Sequence, residues 1–431
     1  MLKSFQQASV AIEKLLDLPL GRKRIERLTE RIGAERLAEA DAQIEAFQLL
    51  TLIEKLEGPA GVISPLAGAV LADGGRYQRT EKNPRGQTSK TSHWFEYKGA
   101  LCQWLFGRAD GVRAGYDASD PHPEVPAFLR DLDRVDTLTR QIGQKASDSP
   151  LAATGEAPPG IDLSAVKSLA DLEQQIVLSQ TADAAPIGSG EAAAWSPKVA
   201  SREVVATTDN AERLGVKLAA RAWHLGLFQA PFKAFVADGG SWLWGIYEEH
   251  FKPFGFTPVV DIIHAVTHLY AAAMAGRARG AGAAVYQQWV TWLWGGELSR
   301  IIAALATRQA ELGLPEAADS DTSPRVIVSG ALTYFQNQQS RMRYPEYRKL
   351  GLPLTSSHME STIKELNYRI KGSEKFWGSP GAPAVLQLRA DQLSDSDPLE
   401  AFWSRRQATR TGLHNNVGRG AGRKKNQDAA V

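Results

Sequence analysis

Two short apolar runs of this sequence each end at an aspartate. The run from 235 to 237 stops at Asp238, and the run from 259 to 260 stops at Asp261. Helical patterns follow both runs, the second starting near His264, so the segment is predicted to form strand, helix, strand and helix. In α/β sheets the carboxyl ends of neighbouring strands face the crevice that holds the chemistry. Acids at these positions are therefore candidate ligands.

Asp238 alone has an ordinary explanation, because Asp-Gly is a common turn dipeptide. Two further acids favour a functional site. Asp73 lies in AVLADGG, a near copy of the Asp238 segment, and Glu360 lies at the start of a strongly patterned helix. Three carboxylates from separate segments suit a site for divalent cations.

Glu360 also has a structural alternative. Ser357 and Glu360 have the spacing of a capping box, in which the glutamate satisfies the helix start. The helix has an apolar stripe of Met359, Ile363, Leu366 and Ile370, and beside it a polar stripe of Glu360, Lys364, Asn367 and Lys371. With the two aspartates present, a metal site whose polar stripe follows a phosphate backbone is favoured over the cap.

Phosphodiester chemistry gives a reason for three acids. Two Mg²⁺ ions about 4 Å apart activate the attacking oxygen and stabilise the leaving one, and Mg²⁺ prefers carboxylate and water oxygens. Asp73 is the predicted bridge between the two ions, and Mn²⁺ is the expected substitute. A zinc hydrolase is disfavoured, because HExxH is absent and the i, i+4 pair His264 and His268 has no third ligand in view. A packed helix face is the favoured explanation of that pair, with His264 a neighbour of the site that orients DNA or a carboxylate.

The composition is that of a globular protein with a large core. The chain has 431 residues, of which 43% are apolar and 23% charged. No apolar run approaches a membrane span and the N-terminus has no apolar signal centre, so a cytoplasmic, nucleoid-associated protein is expected. Cys102 is the single cysteine, which excludes an internal disulfide. The net charge of +2 means that binding of nucleic acid would depend on local basic patches.

Residues 1–58 are predicted to be helical, with a possible helix-turn-helix for DNA binding. A helix from Val10 to Leu16, a break near Pro19, and a second helix in RKRIERLTERIG match that motif, and a third helix is expected from Ala34. A basic amphipathic helix can equally be a solvated surface. The candidate DNA contacts of the second helix are Arg22, Lys23, Arg24 and Arg27.

The remaining elements predict an α/β fold. Three strands, a helix, a strand, a helix, a strand and a helix follow one another, which is the layout of a ribonuclease H-like mixed sheet. The predicted catalytic domain comprises residues 59–265 and 350–404, with a partly flexible insertion at 107–200 and a large all-helical insertion at 266–349. Val385 to Phe402 is expected to add a closing helix. Residues 405–431 are predicted to be a basic disordered tail that touches phosphate nonspecifically.

Three blocks carry a family resemblance. LADGGRYQRT, then FVADGGSWLW with VVDIIHAVTHL, and then LPLTSSHMESTIKELNYRIKG resemble the motifs of DDE transposases from bacterial insertion sequences, of the Kra type and related in style to Mutator-like elements. The resemblance implies a triad of Asp73, Asp238 and Glu360 and a ribonuclease H-like core with a helical insertion. Asp261 and His264 match the Asp-x-x-His element of Mutator-like enzymes. Such enzymes commonly read Ser-Gly before the last motif, whereas this chain has Ser356-Ser357-His358, a change expected to stiffen that loop.

The resulting hypothesis is a transposase that binds terminal inverted repeats, cuts by metal-dependent hydrolysis and joins the 3′ hydroxyl to target DNA. A homodimer or higher oligomer is expected, because two DNA ends must be brought together. Two alternatives remain open: a transposase-derived DNA-binding protein that does not cut, and a metal-dependent nuclease without strand transfer. The further candidates for phosphate contact are Arg76, Arg79, Lys364, Arg369 and Lys371. Trp377 is either a base-stacking residue or plain core.

Overall fold

The computed structural model describes residues 4–80, 93–106, 119–146, 166–172, 174–175, 196–372 and 375–410, together with Leu2. Most of the predicted Pro- and Gly-rich part of the 107–200 insertion lies outside these residues. The same holds for residues 411–431 of the predicted basic tail.

Within the described residues, six strands form one mixed sheet. The strands are β1 (Ala67–Arg79), β2 (His93–Leu105), β3 (Val199–Thr207), β4 (Phe232–Ala237), β5 (Thr257–Val260) and β6 (Phe376–Trp377). Their order is β3-β2-β1-β4-β5, and the short β6 pairs with the far end of β1. β2 is antiparallel to both of its neighbours, β1 and β3, while β4 runs parallel to both β1 and β5. The predicted α/β class is therefore confirmed.

The helices cover the sheet and add a block beside it. They are α1 (Phe5–Leu16), α2 (Arg22–Leu49), α3 (Leu52–Glu57), α4 (Ala127–Arg130), α5 (Leu132–Ala146), α6 (Ala211–His224), α7 (Ser241–His250), α8 (Ile262–Met274), α9 (Arg279–Trp294), α10 (Leu298–Leu312), α11 (Pro324–Gln338), α12 (Tyr344–Lys349), α13 (Ser357–Ile370), α14 (Gly381–Gln392) and α15 (Pro398–Arg410). The helices α8 to α12 occupy the chain between β5 and α13, and we call them the helical block. None of the helices in the described ranges is long and apolar enough to cross a membrane.

The core lies on both faces of the sheet. Side chains alternate between the faces of a strand, and the consecutive residues Val70 and Leu71 are each no more than 1% exposed. Gly99 of β2 allows α13 to approach closely, because a Cβ at this position would lie 3.0 Å from the Ile363 side chain and 3.1 Å from that of Met359. The helix that carries Glu360 is thus packed directly on β2, next to β1.

Two sequence predictions about element boundaries are corrected. α2 is one continuous helix, so the separate helix expected from Ala34 is wrong. Its middle packs on α14, where Gly33 lies against Ala384 and the buried Arg36 Nε lies 2.9 Å from Asp391 Oδ2. The first strand does not end at Asp73. β1 and β2 instead pair over their whole length, and β1 continues to Arg79.

The C-terminal elements also differ from expectation. The closing helix predicted from Val385 to Phe402 is two helices, α14 and α15, with a turn at Asp397 that has a φ of 48°. Arg405 and Arg406 belong to α15 and bind Glu39 and Glu35 of α2, with Nε to carboxylate distances of 2.6 Å each. Residues 405–410 are therefore helical and are not part of a disordered tail.

Candidate active site

The two parallel pairings bring three aspartates to one edge of the sheet. β1 pairs with β4 up to Leu71 and Val236, and β4 pairs with β5 up to Ala237 and Val260. Asp73 and Asp238 each lie two residues beyond the last β1–β4 pair, and Asp261 follows Val260 directly, with its amide donating to the Ala237 carbonyl over 2.8 Å. Neighbouring strands lie about 4.8 Å apart, so the first two predicted triad members are neighbours at the carboxyl edge of β4.

Asp73 lies on the face of the sheet that α13 covers. It pairs with Gly99 across β1 and β2, and its Oδ1 accepts a hydrogen bond of 2.7 Å from the Gly74 amide. Tyr97 shares this face, and its hydroxyl donates to Asn367 Oδ1 of α13 over 2.9 Å. Burial, followed by the charge of Asp73, raises the pKa of the Tyr97 phenol. The Asp73 carboxylate therefore lies under the helix that carries Glu360.

The loop after β4 is held by the helical block. Asp238 Oδ1 accepts a hydrogen bond of 2.8 Å from the Gly240 amide. From α11, the Tyr334 hydroxyl donates to the Asp238 carbonyl over 3.1 Å and Gln338 Nε2 donates to the Gly239 carbonyl over 3.2 Å. Gly239 has a φ of 112°, and a Cβ there would lie 2.9 Å from the Tyr334 ring. Sequence reasoning missed Tyr334 and Gln338, whose only signal is the i, i+4 spacing of two polar residues in an apolar helix.

Asp261 is buried and connects two segments of the chain through its hydrogen bonds. The residue is 1% exposed. Its side chain caps α8, because Oδ1 accepts a hydrogen bond of 2.7 Å from the Ile263 amide. Oδ2 accepts from the Ser356 amide over 2.8 Å, from the Ser356 hydroxyl over 2.5 Å and from the Thr355 hydroxyl over 3.5 Å. Both oxygens are thus committed to protein donors. Asp261 ties the end of β5 to the loop that leads into α13.

Glu360 is half-buried in the first turns of α13, and its capping-box alternative is wrong. The helix begins at Ser357 with Ser356 as its N-cap, and no side-chain hydrogen bond caps it. Ser356 donates its hydroxyl to Asp261 instead. The predicted apolar stripe of this helix is confirmed, since Met359, Ile363, Leu366 and Ile370 are all buried.

The histidine pair of α8 faces Asp238. His268 stacks on Tyr334 with ring centroids 4.0 Å apart. Burial, and then repulsion from His264, lowers the pKa of His268 from 6.5 to about 4, although Asp238 opposes the shift. His268 is therefore neutral at physiological pH and serves as a packed ring. His264, which is half-buried one turn earlier, stays a predicted neighbour of the site.

We expect this histidine to make stability depend on pH. A histidine whose folded-state pKa is about 4, against 6.5 for the ordinary side chain, leaves the unfolded chain with more bound protons between these values. Stability is therefore lost as the pH falls from 6.5 towards 4, by about 2–3 kcal/mol. The His268→Phe variant keeps a ring against Tyr334 but cannot be protonated, so its free energy of unfolding should fall less over this pH range. Urea unfolding of both proteins across this pH range checks the difference, and equal slopes would contradict the assignment.

The donors suit Mg²⁺ in type, but the side chains do not form a complete cage. Within the ranges that the structure describes, no group of three His, Cys, Asp or Glu side chains is arranged to hold a metal ion. Mg²⁺ commonly binds one or two protein carboxylates and fills its other positions with water and substrate phosphate. Asp73 and Asp238 are half-buried and adjacent, which fits that mode, with Glu360 on the covering helix as a further oxygen donor.

The candidate DNA contacts divide into exposed and buried residues. The side chains of Arg22, Lys23, Arg24, Arg27, Arg76 and Lys364 are exposed, and those of Arg79 and Lys371 are half-buried. Arg369 is 3% exposed and lies 4.3 Å from the ring centroid of Phe5 and 5.2 Å from that of Trp377. Trp377 is 6% exposed and donates Nε1 to the Ile370 carbonyl over 2.8 Å. We therefore reassign Arg369 and Trp377 from DNA contact to packing of the N-terminal helix.

Comparisons of the chain with protein-family models, with curated proteins and with solved structures find no match. The function is therefore argued from the residues and their arrangement.

Proposed function

We propose that the chain is a DDE-type DNA transposase with a ribonuclease H-like core. The observation that carries the proposal is that Asp73 and Asp238 each lie two residues beyond the last pair of the neighbouring strands β1 and β4, while the helix that bears Glu360 packs on β1. The strand order β3-β2-β1-β4-β5, with three antiparallel strands followed by two parallel ones, supports the ribonuclease H-like assignment. The helical block between β5 and α13 supports the assignment of an insertion.

In this proposal two of the three acids are held in position by other residues of the chain. Asp73, Asp238 and Glu360 would hold Mg²⁺, which supplies activation of the attacking oxygen and stabilisation of the leaving oxygen when bound. Tyr334 fixes the backbone of the Asp238 loop. Asp261 fixes the entry to α13 and so sets the position of Glu360. The chain thus orients its acids through hydrogen bonds made by residues that are not themselves ligands.

The basic start of α2 lies near the carboxyl end of β1, because the charge of Glu26 acts on Arg369, which contacts Trp377 of β6. Phe5 of α1 packs edge-to-face on Trp377, with ring centroids 6.2 Å apart, and β6 pairs with β1 at Gln78 and Arg79, beyond Asp73. The neighbouring first turns of α2 carry four exposed cations, Arg22, Lys23, Arg24 and Arg27. We propose that DNA bound to these cations runs from this end of β1 towards the acids.

Reversing two of these charges should weaken DNA binding without altering the fold. Arg24→Glu combined with Arg27→Glu removes about two phosphate contacts. The slope of the logarithm of the DNA association constant against the logarithm of salt concentration should therefore become shallower by about two. Arg140→Glu combined with Arg279→Glu serves as the matched control, because it makes the same two charge reversals at side chains that are 73% and 76% exposed on α5 and α9. Binding titrations at several salt concentrations measure both quantities. Equal losses in the double variant and the control would contradict a role for α2.

The proposed function itself is tested with wild-type protein and linear DNA carrying the segments that flank its gene. In Mg²⁺ or Mn²⁺ we expect cleavage at the segment ends and joining of the freed 3′ hydroxyls to a second DNA. Binding without cleavage under either metal would favour the alternative of a DNA-binding protein that does not cut. Cleavage without joining would favour the nuclease.

A further inference from the structure

A group of large apolar side chains is exposed on and around α3. Leu49, Leu52, Ile53, Leu56 and Ile63 are between 50% and 86% exposed, and we call them the apolar patch. Soluble monomers rarely leave contiguous apolar patches larger than a few hundred Å² in contact with water. Five such residues within a short stretch of chain therefore indicate a surface that binds another protein surface.

The apolar patch is an ordered part of the fold. Gln229, in the turn between α6 and β4, donates Nε2 to the carbonyls of Lys55 and Leu56 over 3.1 Å each, which fixes the end of α3. The Phe232 amide at the start of β4 donates to the Leu66 carbonyl over 3.3 Å. The apolar patch thus lies at the amino-terminal ends of β1 and β4, and the acids lie at the opposite edge of the sheet.

A groove of about 230 Å³ adjoins the apolar patch. Leu52 belongs to both, and the groove continues over α6 and the end of α7. Its walls are Phe47, Leu52, Lys55, Ala219, Glu249, His250, Pro253 and Phe254. An apolar cavity of about 150 Å³ can already hold a group of the size of benzene. The same face therefore offers projecting aliphatic side chains and a recess large enough to receive one.

The charges in the groove are of both signs. Lys55 Nζ lies 4.7 Å from the centroid of the Phe47 ring, and the Glu249 side chain is 68% exposed. A partner of one charge sign would be repelled by one of these groups. A second copy related by a two-fold axis brings both signs, so that each Lys55 can face the Glu249 of the other copy.

We propose that this face binds a second copy of the chain in a two-fold symmetric dimer, with Ile53 of each copy in the groove of the other. A stable interface takes about 20–30 residues from each partner, and residues 47–66 with 249–254 supply a number in that range. The inference does not depend on the transposase proposal, because the apolar patch is remote from the acids and needs no DNA.

Sedimentation of the full chain without DNA, over a range of micromolar concentrations, tests the dimer. Wild type should sediment as a dimer, and Ile53→Glu should weaken association at least about tenfold. Leu314→Glu is the matched control, because Leu314 is 73% exposed in the loop after α10 and lies outside the apolar patch. Thermal unfolding of each variant checks that the fold is kept. A monomeric wild type, or equal effects of the two variants, would overturn the proposal.

Charge exchange tests the two-fold arrangement directly. Lys55→Glu alone and Glu249→Lys alone should each weaken the dimer, because like charges then meet across the axis. The chain with both changes restores opposite charges and should associate as wild type does. If the combined variant is no tighter than either single one, the partner is not a second copy in this arrangement.

Discussion

Glu360→Gln is expected to abolish metal-dependent DNA cleavage, by about a thousandfold or more, while DNA binding persists. Glutamine keeps the size of the side chain and one acceptor oxygen but removes the charge that holds a divalent cation. A bound cation contributes several kcal/mol to the transition state, and about 4 kcal/mol corresponds to a thousandfold in rate. Single-turnover cleavage of end-labelled DNA in Mg²⁺ and Mn²⁺ measures the rate, and gel mobility measures binding. Asp73→Asn and Asp238→Asn should behave alike.

The same helix offers a matched control for this experiment. Glu365 is half-buried on α13 and binds the Arg202 guanidinium of β3 over 3.2 Å. Glu365→Gln makes the same chemical change five residues along and should keep cleavage within a few-fold of wild type, because a partly exposed ion pair contributes little. If both glutamine variants lost cleavage equally, the loss would report on α13 as a whole and the assignment of Glu360 would fail.

Asp261→Ala is expected to be the most destabilising single change at the site, at about 3 kcal/mol. The carboxylate accepts from the amides of Ile263 and Ser356 and from two hydroxyls, all in a buried setting. Removing it leaves buried donors unsatisfied, which costs about 1–3 kcal/mol for each. Urea unfolding measures the free energy, and cleavage assayed below the unfolding transition should also fall, because the entry to the Glu360 helix is released.

A double-mutant cycle tests whether the hydrogen bond between Ser356 and Asp261 itself contributes to the free energy of unfolding. Ser356→Ala removes one hydroxyl donor and should cost about 1 kcal/mol. Once the carboxylate is gone that donor has lost its acceptor, so Asp261→Ala with Ser356→Ala should cost no more than Asp261→Ala alone. Fully additive losses would show that the hydrogen bond contributes nothing to stability, and the positioning role of Asp261 would then be rejected.

Much of the layout was predictable because local patterns agree with the final packing. The apolar runs before Asp238 and Asp261 became β4 and β5, and the stripe on α13 became its buried face. The extent of β1 was not predictable, because its length is set by pairing with β2, which is distant in sequence. The continuous α2 overrode the expected break at Ala34 because α14 packs along it.

The roles of individual polar residues were the least predictable. Arg369 has the sequence of a surface cation, yet it lies buried against Phe5, a residue more than three hundred positions away. Asp261 gave no sign of its four donors, since Thr355 and Ser356 are more than ninety positions away, on the other side of the helical block in the sequence. Such contacts depend on tertiary structure and leave no periodic pattern in the sequence.

The hydrogen bonds at Asp261 also determine how replaceable the helical block is. The chain leaves the sheet at Ile262 and returns at Leu354, and the Ile262 amide donates to the Leu354 carbonyl over 2.8 Å. The two ends of the helical block are thus joined by a hydrogen bond. The length of chain between them therefore has little effect on the entropic cost of closing this loop. A longer or shorter block could therefore be inserted here at little entropic cost, provided that its contacts with the sheet are kept. These contacts are made by Tyr334 and Gln338 of α11, which bind the loop after β4, and by Tyr344 and Tyr347 of α12, whose hydroxyls donate to carbonyls of β5.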